Sequence, residues 1–254
     1  MGTVELREEI SVIKARIEAA ALRAGRNPSD VQLIAVTKTH PVEVVRAALA
    51  AGIKHIGENK VQEAKDKFNM WNHERTFQLH MIGHLQTNKV RQAVELFDII
   101  HSVDSTRLAA EIDRRAYTKD RVMPILIQVN TSREKTKHGV DPDGTFEMVK
   151  KIAEMKNIQI KGLMTIGALS ASAANDMDRV RSYFKVLKDL WDFIAGQHIP
   201  TVEMKMLSMG MTGDFEVAIE EGATHVRIGT ALFGRRRRIP KTDLPQKPEE
   251  RLET

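Results

Sequence analysis

The stretch VQLIAVTKTHPVEVVRAALAAGIKHIGENKVQEAKDKF, from Val31 to Phe68, alternates two kinds of apolar pattern. A short, mostly apolar run at Gln32–Lys38 predicts a buried strand, and the apolar spacing after Pro41 predicts a helix. The same pair of patterns then repeats, with a strand at His55–Glu58 and a helix that ends at Phe68. The segment therefore predicts two consecutive strand–helix units of a parallel sheet.

The strand–helix alternation continues along the whole chain. Strands are predicted at Gln32–Lys38, His55–Glu58, Gln78–Ile82, Ile99–Val103, Ile125–Val129, Ile160–Ile166, Glu203–Ser208 and Val226–Ile228. Helices are predicted at Pro41–Ala51, Val61–Phe68, Thr87–Leu96, Thr106–Thr118, Thr145–Met155, Asp176–Gln197 and Asp214–Glu221. An extra N-terminal helix has apolar residues at Leu6, Ile10, Ile13, Ile17 and Ala20. This order predicts an α/β protein with a single-domain (β/α)8 TIM barrel.

An open, doubly wound parallel sheet is the alternative fold. It is disfavoured because no Gly-x-Gly-x-x-Gly turn follows the first predicted strand. The segment GHLQTNK, Gly83 to Lys89, resembles a phosphate loop only superficially. It lacks a glycine before the lysine and a Ser or Thr after it, so we do not interpret it as one.

The composition places the chain among proteins with a large hydrophobic core. It has 254 residues, of which 42% are hydrophobic and 29% are charged. No apolar run approaches the ~18 residues that span a membrane. The first twenty residues have the pattern of an amphipathic helix rather than of a signal peptide, so we expect a cytoplasmic protein. The absence of cysteine excludes disulfides, thiolate metal sites and a cysteine nucleophile.

Positive charge is concentrated near the carboxyl terminus. The net charge is +5, and the segment GRRRRIPK, Gly234 to Lys241, contains four arginines and one lysine. We expect a barrel domain over residues 1–234 and a basic, flexible tail over residues 235–254. Nucleic-acid sites usually spread basic residues over a folded face with stacking aromatics, whereas aromatic residues make up 5% of this chain. The pattern therefore argues against nucleic acid as a partner.

Polar residues occur where the predicted strands end. In a barrel of this kind, the active site is built from the carboxyl ends of the strands. The residues at those ends are Lys38, Asn59, His84, Ser102 and Asn130 after strands one to five. We expect them to converge on one rim of the barrel.

The segments after strands seven and eight have the composition of anion-binding loops. Ser208, Thr212 and Gly213 follow strand seven, and Gly229 and Thr230 follow strand eight. Barrels frequently hold a phosphate at these two loops through backbone N–H groups and a helix N-terminus, here that of the helix predicted to begin at Asp214. Each loop alone is also typical of an ordinary turn, but together they predict a phosphate site.

Lys38 is an unusual end for a buried strand, because an ammonium group is among the groups least often buried. Strands one and eight are neighbours in a closed barrel, so a phosphate near Gly229 would bring the rest of its ligand within reach of Lys38. Burial lowers the pKa of a lysine, which frees its amine to attack an aldehyde. The pattern indicates an imine site for pyridoxal 5'-phosphate (PLP) or a sugar phosphate. A salt-bridged lysine is the alternative for Lys38 taken alone.

A series of motifs resembles the pyridoxal phosphate homeostasis proteins of the YggS/PROSC type. In order along the chain, the motifs are AVTK, GENKVQE, HMIGHLQTNK, HSVDS, KHG, GLMTIG and SMGMTGDFEVAIEEGATHVRIGTALFG. The resemblance covers residues from about 5 to 234. It implies a PLP-binding barrel of fold type III, similar to the N-terminal domain of alanine racemase. Lys60 and Thr212 depart from the family pattern, which has an aromatic residue or Arg and a Ser at these positions.

The resemblance also implies roles for individual residues. PLP would form a Schiff base with Lys38, and Arg227 would face its pyridine nitrogen. Ser208 and the backbone of Gly229 and Thr230 would hold the phosphate. The residues implied to line the pocket are Asn59, Ser102 and Met164.

An arginine at the ring nitrogen favours binding over catalysis. Arg227 stays protonated and can only donate, so the nitrogen would be an unprotonated acceptor and the ring a poorer electron sink. Racemases of this barrel type compensate with a lysine and a tyrosine from a second domain. The two tyrosines here, Tyr117 and Tyr183, lie on predicted helices. The resemblance implies a PLP carrier or buffer without robust turnover, a monomer or weak dimer, with PLP-dependent apo-enzymes as transient partners.

Two other functions stay open. One is a weak PLP-dependent amino-acid racemase that uses Lys38 and one opposing group, such as His84 or a water molecule. The other is a nucleic-acid or anionic-surface binder that acts through the arginines of the tail. No metal site is predicted, because the histidines at positions 80, 84, 101 and 138 lack the His-Glu-x-x-His spacing and we expect no carboxylate to cluster with them.

Overall fold

Eight parallel strands close into a barrel in a computed structural model of the chain, which describes residues 3–69, 71, 75–134, 136–167 and 176–234. The strands are β1 (Gln32–Val36), β2 (His55–Glu58), β3 (Gln78–Met81), β4 (Ile99–Val103), β5 (Met123–Gln128), β6 (Ile158–Met164), β7 (Val202–Ser208) and β8 (His225–Ile228). Each strand pairs with the next in sequence, and β8 pairs with β1. The predicted TIM barrel is confirmed.

Helices surround the barrel. They are α1 (Thr3–Arg23), α2 (Val42–Ala50), α3 (Val61–Phe68), α4 (Val90–Leu96), α5 (Thr106–Tyr117), α6 (Pro142–Ala153), α7 (Met177–Ala195), α8 (Phe215–Glu220) and α9 (Thr230–Phe233). Within the described ranges, no helix combines the length and apolarity needed to cross a bilayer. The basic tail predicted over 235–254 lies outside the described residues.

Some element boundaries differ from the sequence predictions at turns. The first strand ends at Val36 rather than Lys38, and the chain turns at Thr39, whose φ of 65° lies in the left-handed region. Helix α6 begins at Pro142 rather than Thr145. A proline fits the first turn of a helix, and the preceding aspartate caps this one. Local turn chemistry thus sets these ends.

Hydrophobic packing between the strands and the helices forms the main core. Along β1, Leu33 and Ala35 belong to this core, whereas Ile34 points into the barrel, as the two-residue period of a strand requires. The apolar stripe predicted on α1 is also buried. Its members Leu6, Ile10, Ile13, Ile17 and Ala20 are each at most 5% exposed.

Polar contacts hold α1 against α8. The Arg16 guanidinium donates to both carboxylate oxygens of Glu216, at 3.0 and 2.8 Å, and lies 4.7 Å from the ring centroid of Phe215. Beyond the end of α1, Arg26 donates to the backbone carbonyls of Ile219 and Ala223 at 2.7 and 2.9 Å. The extra N-terminal helix is therefore part of the barrel wall.

The interior of the barrel contains a chain of polar side chains. His55 Nδ1 lies 3.1 Å from His80 Nε2, and His80 Nδ1 lies 2.9 Å from His101 Nε2. His101 Nδ1 lies 3.1 Å from the Ser208 hydroxyl, which accepts a hydrogen bond from Arg227 at 2.7 Å. Every member except His55 is at most 4% exposed. We call these five residues the histidine chain.

The hydrogen bonds of Ser208 favour one tautomer for each histidine in the chain. The Ser208 hydroxyl accepts from Arg227, and His101 Nδ1 is the acceptor that the described residues offer to its own proton, so the arrangement that uses every donor has Ser208 donating to His101. His101 then carries its proton on Nε2 and donates to His80, which donates in the same way to His55. The three imidazoles are therefore neutral and point in one direction.

Burial keeps the interior histidines neutral at pH 7. It lowers the pKa values of His80 and His101 well below the ordinary value of 6.5. It also lowers the pKa of His225, at the start of β8, to about 3. Protonating His101 or His225 would also place a second positive charge near Arg227.

We expect the free energy of unfolding to fall as the pH is lowered from 7 to 5. The unfolded chain binds protons at histidine below pH 6.5, whereas the folded chain does not at His80, His101 or His225. Each of these three histidines should therefore lower the free energy of unfolding by about 2 kcal/mol between pH 7 and pH 5. Urea titrations at pH 7, 6 and 5 measure the slope.

One variant isolates the contribution of a single histidine to this pH dependence. His225→Asn should reduce the slope by the share of one histidine, whatever its effect at pH 7. A wild-type stability that does not vary between pH 7 and 5 would contradict the neutral interior.

Candidate functional site

A cleft of about 460 Å³ opens at the carboxyl ends of the strands. The segments that follow β1, β2, β3, β6, β7 and β8 contribute its walls. The residues that define it, which we call the rim cleft, include Lys38, Asn59, His84, Ile166, Thr212, Gly213, Arg227, Gly229 and Thr230. Five of the eight site residues predicted from the sequence are among them, so the structure brings these five together.

Lys38 lies at the edge of the rim cleft, two residues beyond the end of β1, and is half-buried. Strands β1 and β8 are paired up to Ala35 and Ile228, so the turns that follow them are adjacent. A Cβ atom on Gly229 would come within 3.2 Å of the Val36 carbonyl oxygen. Glycine thus allows the turn after β8 to approach the segment that carries Lys38.

A buried polar network holds the residue before Lys38. The Thr37 hydroxyl donates to Glu58 Oε1 at 2.6 Å, and the Thr37 carbonyl accepts from Lys67 Nζ at 2.8 Å. Lys67 Nζ also lies 2.5 Å from Glu58 Oε1. The end of β1 is thereby tied to the end of β2 and to α3.

The residue after Lys38 is held by the same helix. The Thr39 backbone N–H donates to the Glu63 carboxylate, which also lies 3.3 Å from Lys67 Nζ. This contact supports the left-handed conformation of Thr39, which a β-branched residue rarely adopts. Lys38 therefore sits between two anchored residues, and its side chain enters the cleft from a fixed backbone.

The Glu58–Lys67 pair is the charged centre of this network. The two side chains are 0% and 5% exposed. Burial raises the pKa of the Glu58 carboxyl above its ordinary value, and the Lys67 ammonium acts in the opposite direction. Glu58 Oε2 is buried and has no hydrogen-bond partner among the described residues, so the carboxylate depends on the contacts of its other oxygen.

Arg227 forms the floor of the rim cleft. Its guanidinium donates to the Ser208 hydroxyl and to the Thr165 carbonyl, both at 2.7 Å, and the residue is 4% exposed. Burial lowers the pKa of Arg227 to about 10, and the Asp214 carboxylate acts against this shift. The guanidinium consequently stays protonated at pH 7 and presents a fixed cationic donor.

A hydrogen bond between a side chain and the backbone closes the loop after β7. The Asp214 carboxylate accepts the Met211 backbone N–H at 2.6 Å. Gly210 has a φ of 89°, and a Cβ atom there would lie 2.6 Å from the Ala218 methyl group, so this turn also requires glycine. The loop leaves Thr212 at the wall of the rim cleft.

Three predicted site residues lie below the rim cleft rather than in its wall. Ser102, Met164 and Ser208 are each fully buried. The Ser208 hydroxyl contacts Arg227, and Met164 packs in a small apolar cluster inside the barrel. Ser102 Oγ has no hydrogen-bond partner among the described residues. Ser208 therefore acts on the cleft through Arg227, whose guanidinium it contacts.

A second polar cluster lies at the same rim, beside the cleft. His84, Asp104 and His138 follow β3, β4 and β5, and Asp104 Oδ2 lies 3.8 and 4.0 Å from the two Nδ1 atoms. The imidazole rings are stacked, with centroids 3.8 Å apart and planes at 12°. The expectation that no carboxylate lies near the histidines is wrong here. The available signal was the position of Asp104 directly after a strand whose end reaches the rim.

His80 and His101, by contrast, are buried structural residues that are hydrogen-bonded to each other inside the barrel.

Comparisons with known proteins agree with this architecture. A family model described as the N-terminal domain of alanine racemase matches residues 10–237. The pyridoxal phosphate homeostasis protein of Aquifex aeolicus (strain VF5) is 42% identical over 230 residues, which cover 91% of this chain and 98% of that protein. The protein of the same name from Escherichia coli (strain K12) is 35% identical over 234 residues, covering 91% and 97%.

Solved structures show the same fold. The structure of PipY from Synechococcus elongatus PCC7942 with PLP bound has a TM-score of 0.75 at 37% identity, and the match covers 90% of this chain and 100% of PipY. An alanine racemase of Clostridium difficile 630, in complex with cycloserine, has a TM-score of 0.68 at 15% identity, covering 91% and 60%. The second likeness shows a shared barrel and no more.

We expect Lys67→Met to lower the free energy of unfolding by about 3–5 kcal/mol, because it leaves the Glu58 carboxylate buried without its cation. Lys65→Met, on the exposed face of the same helix, is the matched control and should change stability by less than about 0.5 kcal/mol. Adding Glu58→Gln to Lys67→Met should recover part of the loss. Urea denaturation of the four proteins measures these differences, and equal stability of the two lysine variants would contradict the buried pair.

Proposed function

Because the chain belongs to the family of pyridoxal phosphate homeostasis proteins, we propose that it binds PLP in the rim cleft and acts in the homeostasis of that cofactor. The names of its relatives and the PLP-bound structure of PipY support this cofactor. The observation that carries the proposal is the adjacency of Lys38 and the Gly229 turn, which offers an amine and exposed backbone at neighbouring edges of one cleft.

The residues present fit PLP. The rim cleft has a volume of about 460 Å³, within the range of roughly 300–1,000 Å³ typical of small-molecule sites. PLP supplies an aldehyde and a phosphate at separate positions of its ring. We assign the Lys38 amine to the aldehyde, as a Schiff base, and the backbone of Gly229 and Thr230 to the phosphate. Asn59 contributes to the wall.

Arg227 supports a role in binding rather than in catalysis. Its pKa of about 10 keeps the guanidinium protonated, so it can only donate to a ring nitrogen, which must then be unprotonated. A ring in that state withdraws electrons weakly. The tyrosines also lie elsewhere: Tyr117 is 72% exposed on α5, and the Tyr183 hydroxyl on α7 accepts from Arg179. We infer a carrier or buffer that passes PLP to apo-enzymes.

The buried residues have supporting parts in this proposal. Ser208 accepts a hydrogen bond from Arg227, which supports a positioning role for Ser208 beneath the ligand. A direct contact of Ser208 with the phosphate stays a prediction. The same holds for the contributions of Ser102 and Met164.

We expect Lys38→Ala to yield a folded protein that lacks the visible absorption of a Schiff base, because the barrel core does not involve this side chain. Borohydride reduction of the wild type should fix the cofactor covalently, and peptide mass spectrometry should locate it on Lys38. The phosphate contacts do not depend on the covalent bond, so weak binding of PLP should survive in the variant.

Lys60→Ala is the matched control for this experiment. Lys60 is exposed at the same rim, one residue from Asn59, and its removal should leave the absorption and the adduct unchanged. An adduct on any lysine other than Lys38 would rule out the assignment.

We expect no exchange of the α-proton of L-alanine with solvent deuterium at a metabolically useful rate. The protonated Arg227 and the absence of a tyrosine from the described wall of the cleft should each reduce proton transfer by about 100-fold or more. NMR under multiple-turnover conditions measures the exchange. Steady exchange that is lost in both Lys38→Ala and His84→Ala would favour the racemase alternative, because His84 borders the same cleft.

A further inference from the structure

We propose that His84, Asp104 and His138 bind a divalent transition-metal ion at the barrel rim, with Zn²⁺ as the first candidate. The three side chains come from the ends of β3, β4 and β5, three adjacent strands, and they offer two imidazole nitrogens and one carboxylate oxygen within 4.8 Å of one another. This site shares His84 with the wall of the rim cleft, but none of its three ligands is among the residues assigned to PLP.

The three donor atoms lie close enough together to reach one ion. Asp104 Oδ2 lies 3.8 Å from His84 Nδ1 and 4.0 Å from His138 Nδ1. Bonds of about 2.0–2.2 Å to a shared Zn²⁺ would draw the three donors closer together. Because the imidazole rings are stacked at 12° and a metal binds in the plane of the ring, both rings must also turn about their Cβ–Cγ bonds to point Nδ1 at the ion, and their 40% and 58% exposure leaves them room to do so. Two imidazoles with one carboxylate suit Zn²⁺, Co²⁺ or Ni²⁺, whereas Mg²⁺ and Ca²⁺ favour oxygen ligands alone.

The backbone that carries each histidine is fixed. His84 follows Gly83, where a Cβ atom would lie 2.3 Å from the Asn59 carbonyl oxygen, so the chain is packed tightly against the end of β2. The His138 carbonyl accepts from Gln128 Nε2 at 3.0 Å, and the neighbouring Val140 N–H donates to the Gln128 carbonyl at 2.9 Å. Both ligands are thus held to the strands rather than carried on free loops.

Asp104 is held on the same rim. It lies between the end of β4 and Ser105, whose hydroxyl caps α5 by accepting the Leu108 N–H at 3.3 Å. The Asp104 side chain is 17% exposed, less than the 40% of His84 and the 58% of His138. The carboxylate therefore forms the inner side of the site and the imidazoles its outer side.

The site also has room for additional ligands. Three protein ligands leave at least one coordination position of Zn²⁺ open. A cavity of about 460 Å³, bordered by His84, Asp104 and Arg107, lies next to the cluster and can hold water or a small anionic group at that position. His84 borders both this cavity and the rim cleft, so a bound ion would also set the orientation of an imidazole at the cleft wall.

Titration of the untagged, full-length protein with Co²⁺ tests this proposal, since the visible bands of Co²⁺ report nitrogen and oxygen coordination. Competition with Zn²⁺ then gives the affinity for Zn²⁺. We expect one equivalent to bind, and we expect His138→Ala and Asp104→Asn each to weaken binding by at least about 10-fold. His198→Ala, an exposed histidine away from the rim, should bind as the wild type does.

The variants locate the ion and separate this proposal from the one on PLP. An ion held by PLP or by other residues would bind equally to the wild type and to His138→Ala, and that result would overturn the proposal. A wild-type protein that shows no Co²⁺ bands would overturn it as well. His138 is 58% exposed, so the His138→Ala variant should fold. It therefore decides the question even if Asp104→Asn fails to fold.

Discussion

The charge of Arg227 is buried in the centre of the barrel, and much of the surrounding structure serves to satisfy it. A buried guanidinium is tolerated only when its donors are paired, because its desolvation costs far more than an apolar contact contributes. Here the Ser208 hydroxyl and the Thr165 carbonyl accept from it, which connects β8 to β7 and to the segment after β6. The floor of the rim cleft is thus formed by a cation that two buried acceptors hold in place.

The wall of the cleft depends on a different constraint, the closure of the sheet between β1 and β8. Gly229 lets these two strands approach so closely that the segment carrying Lys38 and the turn after β8 share one edge. A buried pair, Glu58 and Lys67, then holds the chain before Lys38. Backbone packing at Gly229 and the buried Glu58–Lys67 pair thus both position the segment that carries Lys38. Neither contact involves a ligand.

Sequence reasoning predicted the order of the elements because apolar periodicity records which residues are buried. It also located Lys38 and Gly229, because polar and small residues at strand ends are unusual enough to be noticed. It could not predict that Asp104 and His138, 34 residues apart, would meet, because that contact depends on how a loop folds back onto β5. It likewise could not separate His80, a buried structural residue, from His84, an exposed one four positions later, since burial inside a barrel has no periodic signature of its own.

The direction of the histidine chain has an electrostatic consequence. Each O–H and N–H bond from Ser208 through His101 and His80 points away from Arg227, so the individual dipoles add and their negative ends face the guanidinium. Three neutral rings and a hydroxyl thus add to the stabilisation that the Asp214 carboxylate gives the guanidinium. The cation at the cleft floor is therefore stabilised by a row of hydrogen-bond dipoles that all point the same way.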